Sequence, residues 1–215
     1  HQAYAAAVGD YTGRVTVPTL WDKKEWTVVN NESSEVIRML NTEFNEWGNA
    51  SLDFYPEDLR SEIDGYNDRI YATVNNGVYR CGFAKTQEAY EEAYDKLFDT
   101  LEWLETHLAE RRYLCGDRMT EADWRLYVTL VRFDFVYYSH FKCNKRRIRD
   151  HHNLWNYLKD LYQYPGIAEI TDISGIKSGY YGGMKNVNPS GIVPKGPEDI
   201  DLTGPHDRDR LAKAA

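Results

Sequence analysis

Cysteine is scarce in this chain: three among 215 residues, Cys81, Cys115 and Cys143, an odd number with no Cys-x-x-Cys pair. That pattern excludes a disulfide framework and suits a reducing compartment, so a cytoplasmic protein is expected. Basic excess is lacking as well. The formal net charge is −8, which speaks against a nucleic-acid partner. Long hydrophobic runs are missing too. The uncharged apolar run from Leu126 to Val131 is six residues, fenced by Arg125 and Arg132, whereas a membrane span needs about 20. The opening His1-Gln2-Ala3-Tyr4 shows no basic region followed by an apolar stretch, so no signal peptide is read there. Neither a Gly-x-Ser-x-Gly elbow, a phosphate loop nor a Gly-x-Gly-x-x-Gly turn occurs. Ser/His/Asp hydrolysis and nucleotide binding therefore have no local support. The chain also lacks an initiating Met and is expected to be part of something longer.

What is present is ample material for a core, with 42% hydrophobic and 14% aromatic residues. Val15 to Trp21 is rich in β-branched residues and predicts a strand; Asp22 to Glu25 is a polar turn, and Trp26 to Val29 the returning strand of a hairpin. Pro18 cannot donate to a ladder, so it marks an edge, a bulge or a special bond. Asn30-Asn31-Glu32-Ser33 opens a helix with Val36, Ile37 and Leu40 as its apolar positions. Strand, strand and helix in so few residues resemble the last portion of a mixed α/β unit. From Pro56 the period turns helical. Ile63, Tyr66, Ile70, Val74 and Val78 define one apolar face; Tyr90, Tyr94, Leu97, Leu101, Leu104 and Leu108 define the next. Thr120-Glu121-Ala122-Asp123 predicts a capping box, with Met119 and Trp124 placed as a hydrophobic staple. The helix after it is apolar nearly all round and is expected to be central and buried. Asn153 starts another helix, which Pro165-Gly166 stops. After Ser174 the tail holds seven of fifteen glycines and four of seven prolines, so it is expected to be irregular and either to wrap or to dangle.

Few residues announce chemistry by spacing alone. His140-x-x-Cys143 with His151-His152 has a faint metal-site pattern, but zinc sites usually offer two well-spaced ligand pairs, so no metal is expected. The basic group Lys142, Lys145, Arg146, Arg147 and Arg149 reads first as a solvated face and second as an anion-attracting patch. Glu32-Ser33 at a helix start can be an ordinary N-cap; free amides, a hydroxyl and a carboxylate there would also suit an α-amino-acid end. Of the seventeen tyrosines, most must simply pack. Tyr79, Tyr137 and Tyr180 sit near the ends of helical or irregular segments, where a hydroxyl can face a cleft.

Gly13 to Lys23, Val29 to Glu35 and Ile37-Arg38-Met39 resemble the glutathione-site half of the glutathionyl-hydroquinone reductases, the Xi class of glutathione transferases. The resemblance continues through Thr73-Val-Asn-Asn-Gly-Val-Tyr79, Thr120 to Asp123, Leu130 to Asp134 and His140-Phe-Lys-Cys143, then Tyr164 to Glu169 and Asn188 to Ile192. It implies an α+β chain: residues 1–46 as the remnant of a thioredoxin-like domain, 54–173 as the all-helical glutathione-transferase C-terminal domain, and 174–215 as an irregular extension. It further implies reduction of glutathionyl-hydroquinones with glutathione as co-substrate, and a homodimer. By the same resemblance Arg14, Val15, Thr16 and Val17 contact glutathione ahead of a cis Pro18, and Glu32 and Ser33 hold its γ-glutamyl end. Tyr79 is the implied proton donor, while Tyr137 and Tyr180 lower the thiolate pKa and hold the phenol.

Two departures stand out. The family's nucleophile lies in a Cys-Pro-Trp-Ala motif absent here; Cys81 and Cys115 are followed by Gly and Cys143 by Asn, so none matches it. The nucleophile, and an upstream Trp that contacts glutathione, are expected before the first residue, since the chain opens near the family's third strand. Phe135 stands where relatives often have Pro, which is expected to alter how the helix presents Tyr137. The rival reading is a non-catalytic module of glutathione-transferase type; an upstream Cys-Pro-Trp-Ala segment discriminates the two.

Overall fold

The structure is a computed structural model describing residues 1–211, and it divides into two units, His1–Pro56 and Glu57–Ala215. The last four residues of the extension expected over 174–215 lie outside the described residues.

In the first unit a short alanine-rich helix, α1 (Gln2–Ala7), precedes the hairpin of β1 (Leu20–Asp22) and β2 (Thr27–Asn30). The strands are antiparallel, with Trp21 opposite Val28 and Asp22 opposite Thr27. Asp22 Oδ1 accepts the amides of Lys24 (2.7 Å) and Glu25 (2.9 Å), which closes the turn. The hairpin forms where the β-branched pattern placed it, but its first strand is shorter than Val15 to Trp21. A proline nitrogen has no hydrogen to give a ladder, so pairing begins only beyond Pro18, whose bond to Val17 is cis. Helix α2 (Ser33–Thr42) follows with Glu32 as its N-cap. Its apolar positions are shallow: Val36 and Ile37 are half-buried and Leu40 is exposed.

The second unit is helical. Helices α3 (Arg60–Ile70) and α4 (Gly77–Phe83) are joined by a π turn over Tyr71–Asn75. Three successive +4 steps lead from Tyr66 through Ile70 and Val74 to Val78, and each overshoots an α-helical turn by about 40°. The wider π turn absorbs that drift, and Ile63, Ile70, Val74 and Val78 all stay buried. Helix α5 (Gln87–His107) starts on Thr86, whose hydroxyl accepts the Ala89 amide at 3.2 Å. It buries Leu97, Leu101 and Leu104, and Leu108 follows them into the core; each such side chain contributes about 1.5–3 kcal/mol.

Helix α6 (Glu121–Arg132) begins at the expected capping box. It buries Leu126, Tyr127, Leu130 and Val131 but leaves Val128 half exposed. Its end widens into a second π turn, Phe133–Tyr137, and continues as α7 (Tyr138–His140). Helix α8 (His152–Tyr162) ends before Pro165, and Gly166 adopts a positive φ of 87° to redirect the chain into α9 (Ile167–Ile170). Then come α10 (Ile173–Lys177) and a third π turn, Ser178–Gly182.

The remaining tail wraps. Gln163 Nε2 donates to Leu202 O and Gly204 O, both at 2.8 Å, and Arg208 is fully buried. The Arg208 guanidinium donates to the carbonyls of Leu108 (2.7 Å), Arg111 and Arg112 (2.9 Å) just past the end of α5. A cation there satisfies orphan carbonyls and complements the helix dipole.

Candidate functional site

In the first unit the segment Arg14 to Pro18 has no strand partners; it is held by two tyrosines. Tyr4 donates from its hydroxyl to Thr16 O (2.9 Å) and accepts from Asn31 Nδ2 (3.0 Å) and Thr19 Oγ (3.4 Å). Tyr11 donates to Arg14 O at 2.6 Å. Tyr4 is the buried residue here, while Val17 is 88% exposed ahead of the cis bond. Val15 is half-buried, and Arg14, Thr16 and Pro18 are exposed. Glu32 and Ser33 are exposed at the start of α2. Glu32 Oε1 accepts from the Ser34 hydroxyl (3.2 Å) and more weakly from the Ser34 amide (3.4 Å). Glu32's own amide is fixed by Asn30 Oδ1 at 2.6 Å. This is an N-cap whose carboxylate keeps open valences towards solvent. Tyr4 was not singled out by sequence. Nothing local marks it, because its partners lie 12 to 27 residues away.

In the second unit the three tyrosines converge. Tyr79 lies in α4 just past the first π turn, Tyr137 ends the second, and Tyr180 lies within the third. The Tyr79 and Tyr180 hydroxyl oxygens are 2.5 Å apart, and those of Tyr137 and Tyr180 are 2.8 Å apart. Proton counting sets what the cluster can do. Three hydroxyls carry three protons, and the two contacts use two of them, so one remains to be donated outside the cluster. Tyr137 is buried while Tyr79 and Tyr180 are half-buried, so the cluster is approached from the Tyr79–Tyr180 end. Burial pushes the Tyr180 phenol up to about 12 and holds Tyr137 above the ordinary range. Both therefore stay protonated near neutral pH.

The rings behind these hydroxyls are packed against Phe141, whose centroid is 5.3 Å from that of Tyr79 and 5.4 Å from that of Tyr137. Phe141 in turn fits because residue 82 is glycine: a Cβ there would come 2.3 Å from the Phe141 ring. The end of α6, which carries Phe135, is a π turn, and Tyr137 is presented from its last position.

A mostly apolar cleft of about 670 Å³ opens beside Tyr180, between α6 (Trp124, Val128, Arg132) and the following segment (Ile170, Ile176). That volume is in the range of small-molecule sites. Among the described residues no cluster of three or more His, Cys, Asp or Glu side chains could hold a metal ion. Lys145 pairs with Glu102 at 2.7 Å, Arg147 with Asp199 at 3.6 Å, and Arg149 also with Asp199. The three thiols are buried: Cys81, Cys115 and Cys143 are 2%, 8% and 0% exposed. No described helix is long and apolar enough to cross a membrane.

Comparison with known proteins places these observations. A family model described as "Glutathione S-transferase, C-terminal domain" matches residues 87–160. Glutathionyl-hydroquinone reductase PcpF of Sphingobium chlorophenolicum is 56% identical over 197 residues, which are 92% of this chain and 63% of that protein. Glutathionyl-hydroquinone reductase YqjG of Escherichia coli is 53% identical over 209 residues, 97% of this chain and 63% of the relative. The chain thus spans just under two thirds of the length of these curated relatives. Among solved structures, the Xi glutathione transferase of Phanerochaete chrysosporium matches with a TM-score of 0.90 at 50% identity, covering 96% of this chain and 70% of that one. The glutathione-bound structure of YqjG matches with a TM-score of 0.93 at 53% identity, covering 97% and 67%.

Proposed function

The chain belongs to the Xi class of glutathione transferases, and from that membership we propose that the protein carrying it reduces glutathionyl-hydroquinones to hydroquinones with glutathione as thiol reductant. The observation that carries the reading is the convergence of the Tyr79, Tyr137 and Tyr180 hydroxyls with one proton left to give. The names of the relatives point the same way, and YqjG has been solved with glutathione bound.

In this reading the first unit holds glutathione. The backbone of Val17 ahead of cis Pro18 meets the cysteinyl part, with Arg14, Val15 and Thr16 alongside. Glu32 pairs with the γ-glutamyl ammonium, and the Ser33 hydroxyl and helix amides meet its carboxylate. The nucleophilic thiol comes from outside these residues, since Cys81, Cys115 and Cys143 are buried. Its thiolate attacks the sulfur joining glutathione to the aromatic ring. The carbon–sulfur bond breaks, its electron pair stays on the ring carbon, and Tyr79 delivers a proton there as general acid. Enzyme and glutathione sulfurs remain as a mixed disulfide. A second glutathione thiolate attacks that disulfide, releasing oxidised glutathione and restoring the enzyme thiolate. Tyr180, bonded to both neighbours, passes a proton back to Tyr79, and the proton that the second glutathione thiol gives up on ionising replaces it.

The homodimer belongs to the same proposal, as does a cytoplasmic setting, which three unpaired thiols suit. The test is turnover of a glutathionyl-hydroquinone by the full-length protein, following hydroquinone and oxidised glutathione together. Tyr79→Phe is expected to lower kcat about 100-fold while leaving KM for glutathione unchanged, and residues 1–215 alone are expected not to turn over. Wild-type kcat in Tyr79→Phe, or turnover by the 215 residues alone, overturns the assignment of roles.

A further inference from the structure

Adjacent to Tyr180 in the third π turn stands Tyr181, which points the other way. Its side chain is buried, and its ring packs on His140 with centroids 4.5 Å apart. Its hydroxyl lies 2.5 Å from Ser139 Oγ and 3.4 and 3.5 Å from the carbonyls of Phe135 and Val136. Those carbonyls belong to the π turn that ends in Tyr137, and Ser139 follows two residues later. The backbone carbonyl of Tyr181 is fixed in its turn by Asn188 Nδ2 at 2.8 Å, and the same amide nitrogen donates to Ile192 O at 3.0 Å.

The contact Tyr181 makes therefore joins the segment presenting Tyr180 to the segment presenting Tyr137. Both segments are π turns, where the regular i to i−4 ladder gives way to wider bonds such as Tyr138 N to Phe133 O, and the Tyr181 hydroxyl ties one turn to the other. The proton chain needs the Tyr137 and Tyr180 hydroxyls in hydrogen-bond contact, here 2.8 Å, and a hydrogen bond weakens steeply with misplacement. We propose that Tyr181, seated by Ser139, is a positioning residue for the catalytic tyrosines: it sets the approach of Tyr180 to Tyr137, and through Tyr180 the protonation of Tyr79. The inference rests on the function proposed above. Tyr181 itself touches no substrate; it acts by holding together the two π turns that present Tyr180 and Tyr137.

The test uses the full-length protein with Tyr181→Phe, which keeps the ring on His140 and removes only the hydroxyl. The expected result is a loss in kcat of about tenfold, in line with the cost of small misplacements near reacting groups. KM for glutathione is expected to stay unchanged, and the solvent deuterium isotope effect on kcat to grow, as reprotonation becomes slower. Ser139→Ala is expected to reproduce the loss. The double variant should fall within about twofold of Tyr181→Phe alone, because both changes break one contact. Wild-type kcat and isotope effect in Tyr181→Phe overturn the proposal, as does full additivity of the two substitutions. Failure of the underlying function is separately visible: then the wild-type protein does not turn over the conjugate and Tyr79→Phe changes nothing.

Discussion

Replacing Asp123 by Ala should cost the helical unit much of its stability, because this carboxylate is fully buried and serves donors from three places at once. Oδ2 accepts the Thr120 amide (2.8 Å) and hydroxyl (3.1 Å), closing the capping box. Oδ1 accepts the Leu114 amide (2.9 Å) and the Tyr157 hydroxyl (2.7 Å), tying the start of α6 to the preceding loop and to α8. Burial pushes the Asp123 carboxyl up, and the donors from Leu114, Thr120 and Tyr157 oppose that. Alanine leaves two buried amides, the buried Thr120 hydroxyl and a buried phenol without that acceptor. At the low end of about 1–3 kcal/mol for each orphaned group, the loss is roughly 4 kcal/mol, a large share of the 5–15 kcal/mol typical of a domain. For a unit of this size that corresponds to a fall in Tm of about 10–15 °C. Tyr157→Phe removes only one donor and should cost about 1.5–3 kcal/mol. Urea denaturation followed by circular dichroism, with equal m-values, measures both. A loss below about 1 kcal/mol for Asp123→Ala would refute the view that this one side chain organises the junction.

Gly82→Ala is expected to destabilise by about 1–3 kcal/mol through overpacking, since the new methyl would strike the Phe141 ring that backs Tyr79 and Tyr137; unchanged Tm and kcat would show that Phe141 has room to yield. Asp134 gives a pH signature. Burial raises its carboxyl from 3.8 to about 6, so between those values the folded chain holds a proton that the unfolded chain has released. Its penalty is therefore greatest above pH 6 and is relieved as pH falls towards 4, by up to about 3 kcal/mol. The stability of the wild type minus that of Asp134→Asn should rise over that interval on acidification; a flat difference contradicts the shift.

The features legible in the sequence were those made by neighbours. The capping box is a contact across three residues, the hairpin turn is set by Asp22 and its next few amides, and the apolar face of α5 repeats by helical spacing. The cis bond at Pro18 came only with the family resemblance. The three π turns were hidden because a run of +4 steps, such as Tyr66 to Val78, reads as plain helix until packing shows where the extra residue goes. Tyr79 and Tyr180 lie 101 residues apart, and no periodicity connects them. Tyr181 offered no more than a Tyr-Tyr doublet between glycines, and Tyr4 no signal at all. Arg208 looked like one more charge in a polar tail. Its partners, the carbonyls after α5, lie about a hundred residues earlier.

Each of the three tyrosines is delivered by or just after a helix that has swallowed one residue more than its ladder needs. Deleting the extra residue from Phe133–Tyr137 would let regular winding resume with the downstream turn facing almost the same way, since five residues of a π turn cover about the rotation of four in an α-helix. One further residue inserted in this stretch, with nothing left to absorb it, would rotate Tyr137 by about 100° and should leave a folded helix yet silence the proton relay, which makes chain length there, as much as residue type, part of the specification of the site.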